Sequence, residues 1–407
     1  MKYLLIPPTA LQGTVVLPTS KSISNRVLII NALAESDMPI EGVSDCDDTR
    51  VMLNVLQSND TKFDVGAAGT SMRFLTAFLS KIVGKWEITG SERMKNRPIK
   101  LLVDALNELG AKIEYIEKEG YPPLRIYGSA LQGGRIEMQG NVSSQYISAL
   151  LMLAPTMQQG LRLVLQGDII SVPYIQMTIK IMEQFGIQSY WKDNEIYIPN
   201  QAYTPVPFVV EGDWSAASYW YEMLALAPQG EVELKGLYKD SVQGDAAIAT
   251  IFEHIGVKTK FTKQGVILSK KAPKKGKLVY NFVNQPDLAQ TCVVCCCLLG
   301  IPFYFSGLQS LKIKETDRIY ALVTELKKLG YVVHQKDNSI LEFNNERCDV
   351  ATEQSIDTYD DHRMAMAFAP ACIKVGEISI NEPHVVTKSY PNFWVDLQSL
   401  GFTLHQM

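Results

Sequence analysis

Basic and hydroxyl side chains cluster where the sequence predicts helices to begin. Residues 20–26 (SKSISNR) contain three serines, one lysine and one arginine, and they precede the apolar run at residues 27–30. The unpaired N–H groups and the positive dipole end at a helix start favour an anion. Ser22 and Arg26 lie four residues apart and share one helix face, with Lys21 beside them. The segment therefore predicts an anion-binding helix start, although an ordinary capped surface helix fits it equally well.

Similar polar segments recur at corresponding positions further along the chain. Segments equivalent to residues 20–26 occur at residues 95–98, 171–174, 314–318 and 388–391. A second kind of polar helix start occurs at residues 69–73, 143–145, 212–215, 286–287 and 360–363. Each segment alone is more often a helix cap or a solvated charge, but their recurrence favours a shared function. Helix starts that face a common space would attract anions, although the whole chain has a net charge of −4.

The cations in these segments are more numerous than one carboxylate needs. They are Lys21, Arg26, Arg73, Arg97, Lys314, Arg318, Arg363 and Lys388. Arginine suits bidentate binding of phosphate or carboxylate, and lysine supplies a compact charge. Serines such as Ser143, Ser144 and Ser171 add neutral donors for phosphate oxygens. The set predicts several anionic groups on two small molecules.

Four carboxylates lie among these cations. Asp317 and Asp361 are interpreted as ion-paired supports. Asp287 and Glu315 are the predicted proton-transfer groups, because such catalysis needs an ionisable side chain positioned within hydrogen-bond reach.

The elements that carry these segments form a repeat of about seventy residues. A helical run ends in a bulky apolar residue followed by glycine at Gly110, Gly186, Gly256, Gly330 and Gly401, at intervals of 70–76 residues. After the first four endings the sequence predicts a strand, a polar turn and another strand, with turns at residues 119–120, 193–194, 264–265 and 337–338. Residues 56–58 are interpreted as a sixth ending without its glycine. The pattern predicts similar α/β units that must stack to bury their apolar faces.

Length and composition favour a globular protein of two domains. The chain has 407 residues, of which 46% are hydrophobic and 20% are charged. The charge balance gives no reason to expect nucleic-acid or membrane binding, and no apolar run is long enough to span a membrane. The N-terminal apolar stretch is too short for a signal sequence, so we expect a cytoplasmic protein.

The cysteines and histidines do not indicate a metal site. Four of the seven cysteines, Cys292, Cys295, Cys296 and Cys297, lie in an apolar helical stretch, which favours core packing over a metal or redox role. The sequence has no P-loop, no His-Glu-x-x-His and no Gly-x-Gly-x-x-Gly motif. We therefore expect neither a metal nor an organic cofactor.

Taken together, the motifs resemble the 5-enolpyruvylshikimate-3-phosphate synthase family. They extend along nearly the whole chain, as LPTSKSISNR (17–26), AGTSMR (68–73), RMKNRPI (93–99), VSSQY (142–146), EGDWSAASY (211–219), KETDR (314–318) and DHRMAM (361–366). The resemblance implies transfer of the enolpyruvyl group of phosphoenolpyruvate to the 5-hydroxyl of shikimate 3-phosphate. The implied reaction is an addition followed by an elimination through a tetrahedral intermediate, within the shikimate pathway to chorismate and aromatic amino acids, and the implied enzyme is a monomer.

The resemblance also implies which residues hold each substrate. Phosphoenolpyruvate would contact Lys21, Gly69, Arg97, Gln145, Arg318, Arg363 and Lys388. Shikimate 3-phosphate would contact Lys21, Ser22, Arg26, Ser143, Ser144, Gln145, Ser171, Tyr174, Asp287 and Lys314. Asp287 would take the proton of the 5-hydroxyl, and Glu315 would deliver a proton to the methylene carbon. Lys21 would assist while it contacts both substrates. Ala67 and Ser310 stand where the family often has asparagine, so no role is transferred to them.

The fold implied by the resemblance is a two-domain inside-out α/β barrel of six βαβαββ repeats, three per domain. Residues 20–210 would form one domain, and residues 1–19 with 211–407 would form the other. The active-site cleft would lie between the domains, which would draw together when substrates bind. The repeat supports the number of units but does not by itself give the division into three and three.

Two other functions fit the same scaffold. A UDP-N-acetylglucosamine enolpyruvyl transferase shares the repeat, but it uses a loop cysteine and a different opening motif, whereas the only early cysteine here is Cys46. A non-catalytic anion-binding protein is the second alternative. The presence of both Asp287 and Glu315 argues against it.

Overall fold

The chain folds into two compact units that differ in their connectivity. A computed structural model describes residues 1–352 and 355–407. One unit, here called the inserted unit, consists of residues 20–210, and the other, the terminal unit, consists of residues 1–19 and 211–407. Both are mixed α/β structures. Because both chain ends belong to the terminal unit, the chain crosses between the units twice.

The strands are short, between two and six residues. In chain order they are β1 (Lys2–Ile6), β2 (Leu11–Val16), β3 (Ile40–Glu41), β4 (Lys62–Asp64), β5 (Gly84–Thr89), β6 (Lys112–Tyr115), β7 (Leu124–Gly128), β8 (Gly134–Gln139), β9 (Leu161–Gln166), β10 (Tyr190–Lys192), β11 (Glu195–Ile198), β12 (Phe208–Val209), β13 (Gly230–Lys235), β14 (Val257–Phe261), β15 (Gly265–Lys270), β16 (Leu278–Asn281), β17 (Phe303–Ser306), β18 (His334–Lys336), β19 (Ile340–Phe343), β20 (Ser355–Ile356), β21 (Ile378–Asn381) and β22 (Thr403–Gln406).

The helices alternate with these strands. They are α1 (Lys21–Leu33), α2 (Asp47–Gln57), α3 (Gly69–Lys81), α4 (Glu92–Lys95), α5 (Lys100–Glu108), α6 (Ser144–Leu153), α7 (Val172–Gln184), α8 (Trp214–Leu226), α9 (Ile248–Ile255), α10 (Ala289–Leu299), α11 (Arg318–Lys328), α12 (His362–Phe368), α13 (Cys372–Val375) and α14 (Phe393–Ser399). Short 3₁₀ turns precede several of them, and two of these matter for the site: Gly244–Ala247 before α9 and Pro286–Leu288 before α10.

The four-stranded sheets share one topology. A parallel pair is extended by two antiparallel strands in the orders β4-β5-β7-β6, β8-β9-β11-β10, β2-β13-β15-β14, β16-β17-β19-β18 and β20-β21-β1-β22. In the last sheet the N-terminal strand β1 takes a place that a hairpin strand occupies in the others. The first and last strands of the chain therefore pair directly, as antiparallel neighbours.

The predicted helix endings and hairpin turns are confirmed. The five glycines that follow the helices have φ between +81° and +122°, a region that favours glycine because it has no Cβ. The four predicted turns connect β6 to β7, β10 to β11, β14 to β15 and β18 to β19 as antiparallel hairpins. In the turn between β18 and β19, Asp337 and Asn338 both have positive φ, which these short polar side chains tolerate.

The inserted unit contains a smaller sheet than the repeat predicts. Strands β3 and β12 form only a two-stranded parallel pair, Ile40 with Phe208 and Val209 with Glu41. Helix α2 ends at Gln57, and its cap residue Ser58 has an extended backbone, which does not require glycine. This explains why the sixth ending lacks its glycine.

The central helices of the terminal unit are buried on nearly all sides. Helices α8, α10 and α12 expose almost no side chain, and the four clustered cysteines of α10 are completely buried and reduced. Burial raises the pKa of each of these thiols, so they pack as small apolar groups. The prediction that they belong to the core is confirmed. Across the described ranges, each helix is too short or too polar to cross a bilayer.

Candidate active site

Four helices whose starts carry predicted site residues pack together in the inserted unit. Helix α1 contacts α3, α6 and α7, and α6 contacts α3 and α7. Their starts carry Lys21, Gly69, Ser144 and, immediately before α7, Ser171. Side-chain hydrogen bonds join these starts directly. The amide of Gln145 in α6 donates to the hydroxyl of Thr70 in α3 over 3.0 Å.

Arg26 ties three of these helices together. Its Nε donates to the Thr178 hydroxyl at 2.7 Å, and its Nη2 donates to the Ser148 hydroxyl at 3.1 Å. The carbonyls of Ser22 and Tyr174 accept further bonds at 2.8 and 3.4 Å. Burial lowers the pKa of Arg26 to about 10. These four hydrogen-bond acceptors are neutral, so a nearby anion would stabilise the buried charge. The guanidinium therefore supports the helices as well as being suited to phosphate.

Gly69 lets two guanidinium groups approach the start of α3. A Cβ added at this position would lie 2.6 Å from Nη1 of Arg97 and 2.8 Å from Nη1 of Arg73. Arg73 also donates to the Gly69 carbonyl at 2.6 Å, and its guanidinium lies over the ring of Tyr146. The sequence analysis counted Arg73 among the cations but assigned it to neither substrate. In the structure, Arg73 supports the start of α3 and the ring of Tyr146.

Hydroxyl groups surround the remaining helix starts. The Ser143 hydroxyl accepts from the backbone of Gln145 and so caps α6. Ser171 precedes α7 with a left-handed backbone at φ 55°, and its side chain makes no cap bond. Lys21 forms an ion pair of 3.3 Å with Asp48, whose side chain is buried. The sequence prediction missed Asp48, Ser148 and Thr178, because nothing in the local pattern distinguishes them from ordinary polar residues.

A second group of charged residues lies in the terminal unit, centred on Arg318. This buried guanidinium binds both oxygens of Asp361, at 2.7 and 3.2 Å. It also donates to Glu315 at 2.8 Å and to Asp287 at 3.3 Å. Burial alone would lower the pKa of Arg318, but Asp361, Glu315 and Asp287 raise it above the usual guanidinium value. Asp361 is thus an ion-paired support, as predicted.

The two predicted proton-transfer groups are each held by cations. Arg363 donates to Asp287 at 2.9 Å, and Lys314 lies 3.7 Å from the same carboxylate. Lys388 lies 3.0 Å from Glu315. Loss of hydration lowers the pKa of Lys314, and the negative charge of Asp287 opposes that shift. Ionisable side chains placed in this way can accept or return a proton.

The helix ends and turns of the terminal unit explain how these side chains come together. Asp287 lies in the 3₁₀ turn before α10, Arg318 is the first residue of α11, and Arg363 lies in the first turn of α12. Asp317 caps α11 and Asp361 caps α12, each by accepting a backbone N–H group. Four cations face three carboxylates in this group.

Two further polar residues belong to this neighbourhood and were missed. Tyr219 of α8 accepts a hydrogen bond of 3.3 Å from Arg363, and Asp245 lies in the turn before α9. The repeat itself could have located Asp245, because the helix starts at residues 171 and 314 are two periods apart and no polar start was assigned between them. Residues 241–247 occupy that position.

The predicted site residues therefore form two groups. Lys21, Ser22, Arg26, Gly69, Arg97, Ser143, Ser144, Gln145, Ser171 and Tyr174 lie in the inserted unit. Asp287, Lys314, Glu315, Arg318, Arg363 and Lys388 lie in the terminal unit. Within residues 1–352 and 355–407, no three His, Cys, Asp or Glu side chains are arranged to hold a metal ion.

Comparison with known proteins gives the family. The family described as EPSP synthase (3-phosphoshikimate 1-carboxyvinyltransferase) matches residues 5–58 and 56–397. The chain belongs to the EPSP synthase family. A 3-phosphoshikimate 1-carboxyvinyltransferase of Bacteroides fragilis is 54% identical over 403 residues, which cover 99% of this chain and 98% of that protein. A 3-phosphoshikimate 1-carboxyvinyltransferase of Vibrio cholerae is 37% identical, and the match covers 97% of this chain and 98% of that protein.

A solved structure extends the similarity to the fold. The EPSP synthase of Acinetobacter baumannii superposes with a TM-score of 0.79 and covers all of both chains, at 19% sequence identity. Helices and sheets of this family are therefore retained where most side chains differ.

Proposed function

We propose that the protein transfers the enolpyruvyl group of phosphoenolpyruvate to the 5-hydroxyl of shikimate 3-phosphate and releases phosphate. The observation that carries the proposal is the placement of Asp287 and Glu315, each in direct contact with two or more cations. Such a group can exchange protons while the surrounding cations bind anionic substrates. Family membership agrees with this reaction, because the similar proteins carry the name of that activity.

The cations have a physical role in this reaction beyond recognition. Both substrates are negatively charged and repel each other in water. Fixed guanidinium and ammonium groups offset that repulsion and orient the reacting atoms. We assign phosphoenolpyruvate to Lys21, Gly69, Arg97, Gln145, Arg318, Arg363 and Lys388. We assign shikimate 3-phosphate to Lys21, Ser22, Arg26, Ser143, Ser144, Gln145, Ser171, Tyr174, Asp287 and Lys314.

The proposed chemistry moves two protons. In the addition, Asp287 takes the proton of the 5-hydroxyl, whose oxygen bonds to the central carbon of phosphoenolpyruvate, and Glu315 gives a proton to the methylene carbon. In the elimination the deprotonated Glu315 takes a proton back from that carbon, and the proton held by Asp287 passes to the departing phosphate, which restores the double bond in the product. Lys21 assists by contacting both substrates.

We also propose the complete architecture that this reaction requires. It is an inside-out α/β barrel of six βαβαββ repeats, with three in residues 20–210 and three in residues 1–19 and 211–407. The shared sheet order and the burial of α8, α10 and α12 support this proposal. The two groups of site residues would act on one pair of substrates. We further propose that the enzyme is a monomer and acts in the cytoplasm.

The proposed function predicts phosphate release only when both substrates are present. Glu315→Ala and Lys21→Ala should lower kcat by about 10²–10⁴-fold with an unchanged circular dichroism spectrum, because each removes a group that acts on the reacting atoms. The matched controls are Glu231→Ala and Lys263→Ala, at exposed positions, and both should retain wild-type rates.

Three outcomes of this assay would contradict the proposal. A wild-type rate for Glu315→Ala would remove that residue from the mechanism. Phosphate release with UDP-N-acetylglucosamine in place of shikimate 3-phosphate would indicate the sister transferase. Binding of both substrates without phosphate release would indicate a non-catalytic anion-binding protein.

A further inference from the structure

Asp245 occupies a position where the repeat predicts a site residue. Its segment, residues 241–247 (SVQGDAA), corresponds to the helix starts that carry Lys21, Arg97 and Arg318 in other copies of the repeat. The segment 241–247 contains no lysine or arginine. The acidic side chain therefore stands in a functional position without contributing to anion binding.

The surrounding contacts hold Asp245 rigidly against the start of α8. The side chain of Gln243 accepts from the backbone of Trp214 at 3.0 Å and donates to the carbonyl of Gly212 at 2.8 Å. The Ser215 hydroxyl donates to Oδ2 of Asp245. Asp245 is only 3% exposed, and within residues 1–352 and 355–407 its Oδ1 has no hydrogen-bond partner. A charged carboxylate in this position is poorly solvated.

The charged groups that act on Asp245 include the proposed base. They are Asp287 in the turn before α10, Arg363 in α12 and Asp213 at the start of α8, while Tyr280 at the end of β16 is the other titratable group nearby. Burial, followed by the negative charge of Asp287, raises the pKa of the Asp245 carboxyl to about 7. Ser215 and Arg363 oppose the shift. Asp245 thus changes its charge close to neutral pH.

We propose that Asp245 is a positioning residue that adjusts the basicity of Asp287, and this inference rests on the proposed function. Three cations hold the Asp287 carboxylate, which makes it a weak base. Helix α8 contacts both the turn that carries Asp245 and the turn that carries Asp287. Asp245 is a neutral acid at low pH and loses its proton to solvent as the pH rises. The second negative charge then opposes the effect of the cations and strengthens Asp287 as the acceptor of the hydroxyl proton.

The test is the pH profile of kcat for the full-length wild type and for Asp245→Asn. The two should have similar rates near pH 6, where the wild-type carboxyl is neutral. Between pH 6 and 8.5 the wild-type rate should gain up to about tenfold over the variant, the equivalent of one unit of proton affinity. Asp245→Glu, which keeps the acid, should retain part of the rise. A purely structural role would lower the rate by the same factor at every pH, and that result would overturn the proposal.

A second variant covers the case in which Asp245→Asn does not fold. Ser215→Ala removes the hydrogen bond that stabilises the charged form of Asp245, so the rise in kcat should move to higher pH. An unchanged profile would contradict the proposal.

Unfolding measurements distinguish failure of this inference from failure of the proposed function. The folded state keeps the Asp245 proton up to about pH 7, whereas the unfolded state releases it near its ordinary value of 3.8. Wild-type stability should therefore fall relative to Asp245→Asn as the pH rises from 3.8 to about 7. If phosphate is never released but this difference appears, Asp245 is a buried acid and the proposed reaction is wrong. If phosphate is released and the pH-dependent gain is missing, only the inference is wrong.

Discussion

Arg318 illustrates how a single buried cation organises the candidate site. It contacts Asp361, Glu315 and Asp287, so one guanidinium fixes both proposed proton-transfer groups and the cap of α12. Its five N–H donors in a planar arrangement make this possible, and lysine could not replace them. Asp361 is completely buried and binds Arg318 through both oxygens. The order of the site therefore depends on a residue that is not itself a proposed catalytic group.

Removal of the Asp361 carboxylate should destabilise the protein more than removal of a comparable exposed one. Asp361→Ala leaves a buried guanidinium without its main partner, which costs about 3–5 kcal/mol. Asp317→Ala is the matched control, because Asp317 also caps a helix but its side chain is 37% exposed. That change should cost about 1 kcal/mol. Urea unfolding monitored by fluorescence measures both, and equal losses would contradict a special role for the buried pair.

At the level of elements, one local rule ends five helices. A glycine with positive φ stops each helix and turns the chain into the following strand. The rule is readable in the sequence because the left-handed conformation excludes most side chains. The same is true of the hairpin turns, where short polar residues and glycine recur. Local backbone chemistry alone therefore predicts these boundaries.

Gly110→Ala tests this rule. Gly110 has φ 101°, and an added Cβ would lie 3.2 Å from the backbone nitrogen of Gln132. We expect the free energy of unfolding to fall by about 1–2 kcal/mol, because an L-residue is strained in this region. The activity of the folded protein should not change. Glu108→Ala, at an exposed position at the end of the same helix, is the control and should alter stability by less than about 0.5 kcal/mol. A similar small effect for Gly110→Ala would show that the backbone tolerates the side chain.

At the level of the whole molecule, the proposed reaction requires groups from both units. Lys21 and Arg97 lie in the inserted unit, whereas Asp287, Glu315 and Lys388 lie in the terminal unit. If all of them act on one pair of substrates, we expect binding of both ligands to make the protein more compact. Exclusion of water from the reacting groups would be the physical benefit.

Small-angle scattering can detect this compaction. With both ligands bound, the radius of gyration should decrease toward about 22 Å, the value expected for a compact chain of 407 residues. A non-reacting analogue of phosphoenolpyruvate with shikimate 3-phosphate keeps the ligands in place during the measurement. Lys21→Ala, which lacks the group proposed to contact both substrates, should compact less. An identical radius of the wild type with and without ligands would contradict closure.

Much of the site was predictable because its residues occupy recurring positions. Most of the predicted cations lie at or near a helix start, although Lys388 ends the 3₁₀ turn Pro383–Lys388. The role of Asp361 as an ion-paired support was also anticipated. Residues that act through distant partners were not predictable. Ser148 and Thr178 hold Arg26 from 122 and 152 residues away, and no local pattern records such a contact. Asp245 was missed for a different reason. Its segment holds the helix-start position of the repeat, but it carries an acidic side chain where most equivalent segments carry cations.

The sequence by itself determined the family, the periodic order of helices and strands, and the residues suited to bind anions. Each of these depends on local chemistry: glycine at positive φ, polar caps at helix starts, and apolar runs of defined length. Only the tertiary structure decided which charges face each other, that β1 lies between β21 and β22 in one sheet, and that α8 contacts the turns that carry Asp245 and Asp287. The physical reason is that the basicity of a carboxylate depends on burial and on its spatial neighbours, and both arise only when segments far apart in the chain pack together.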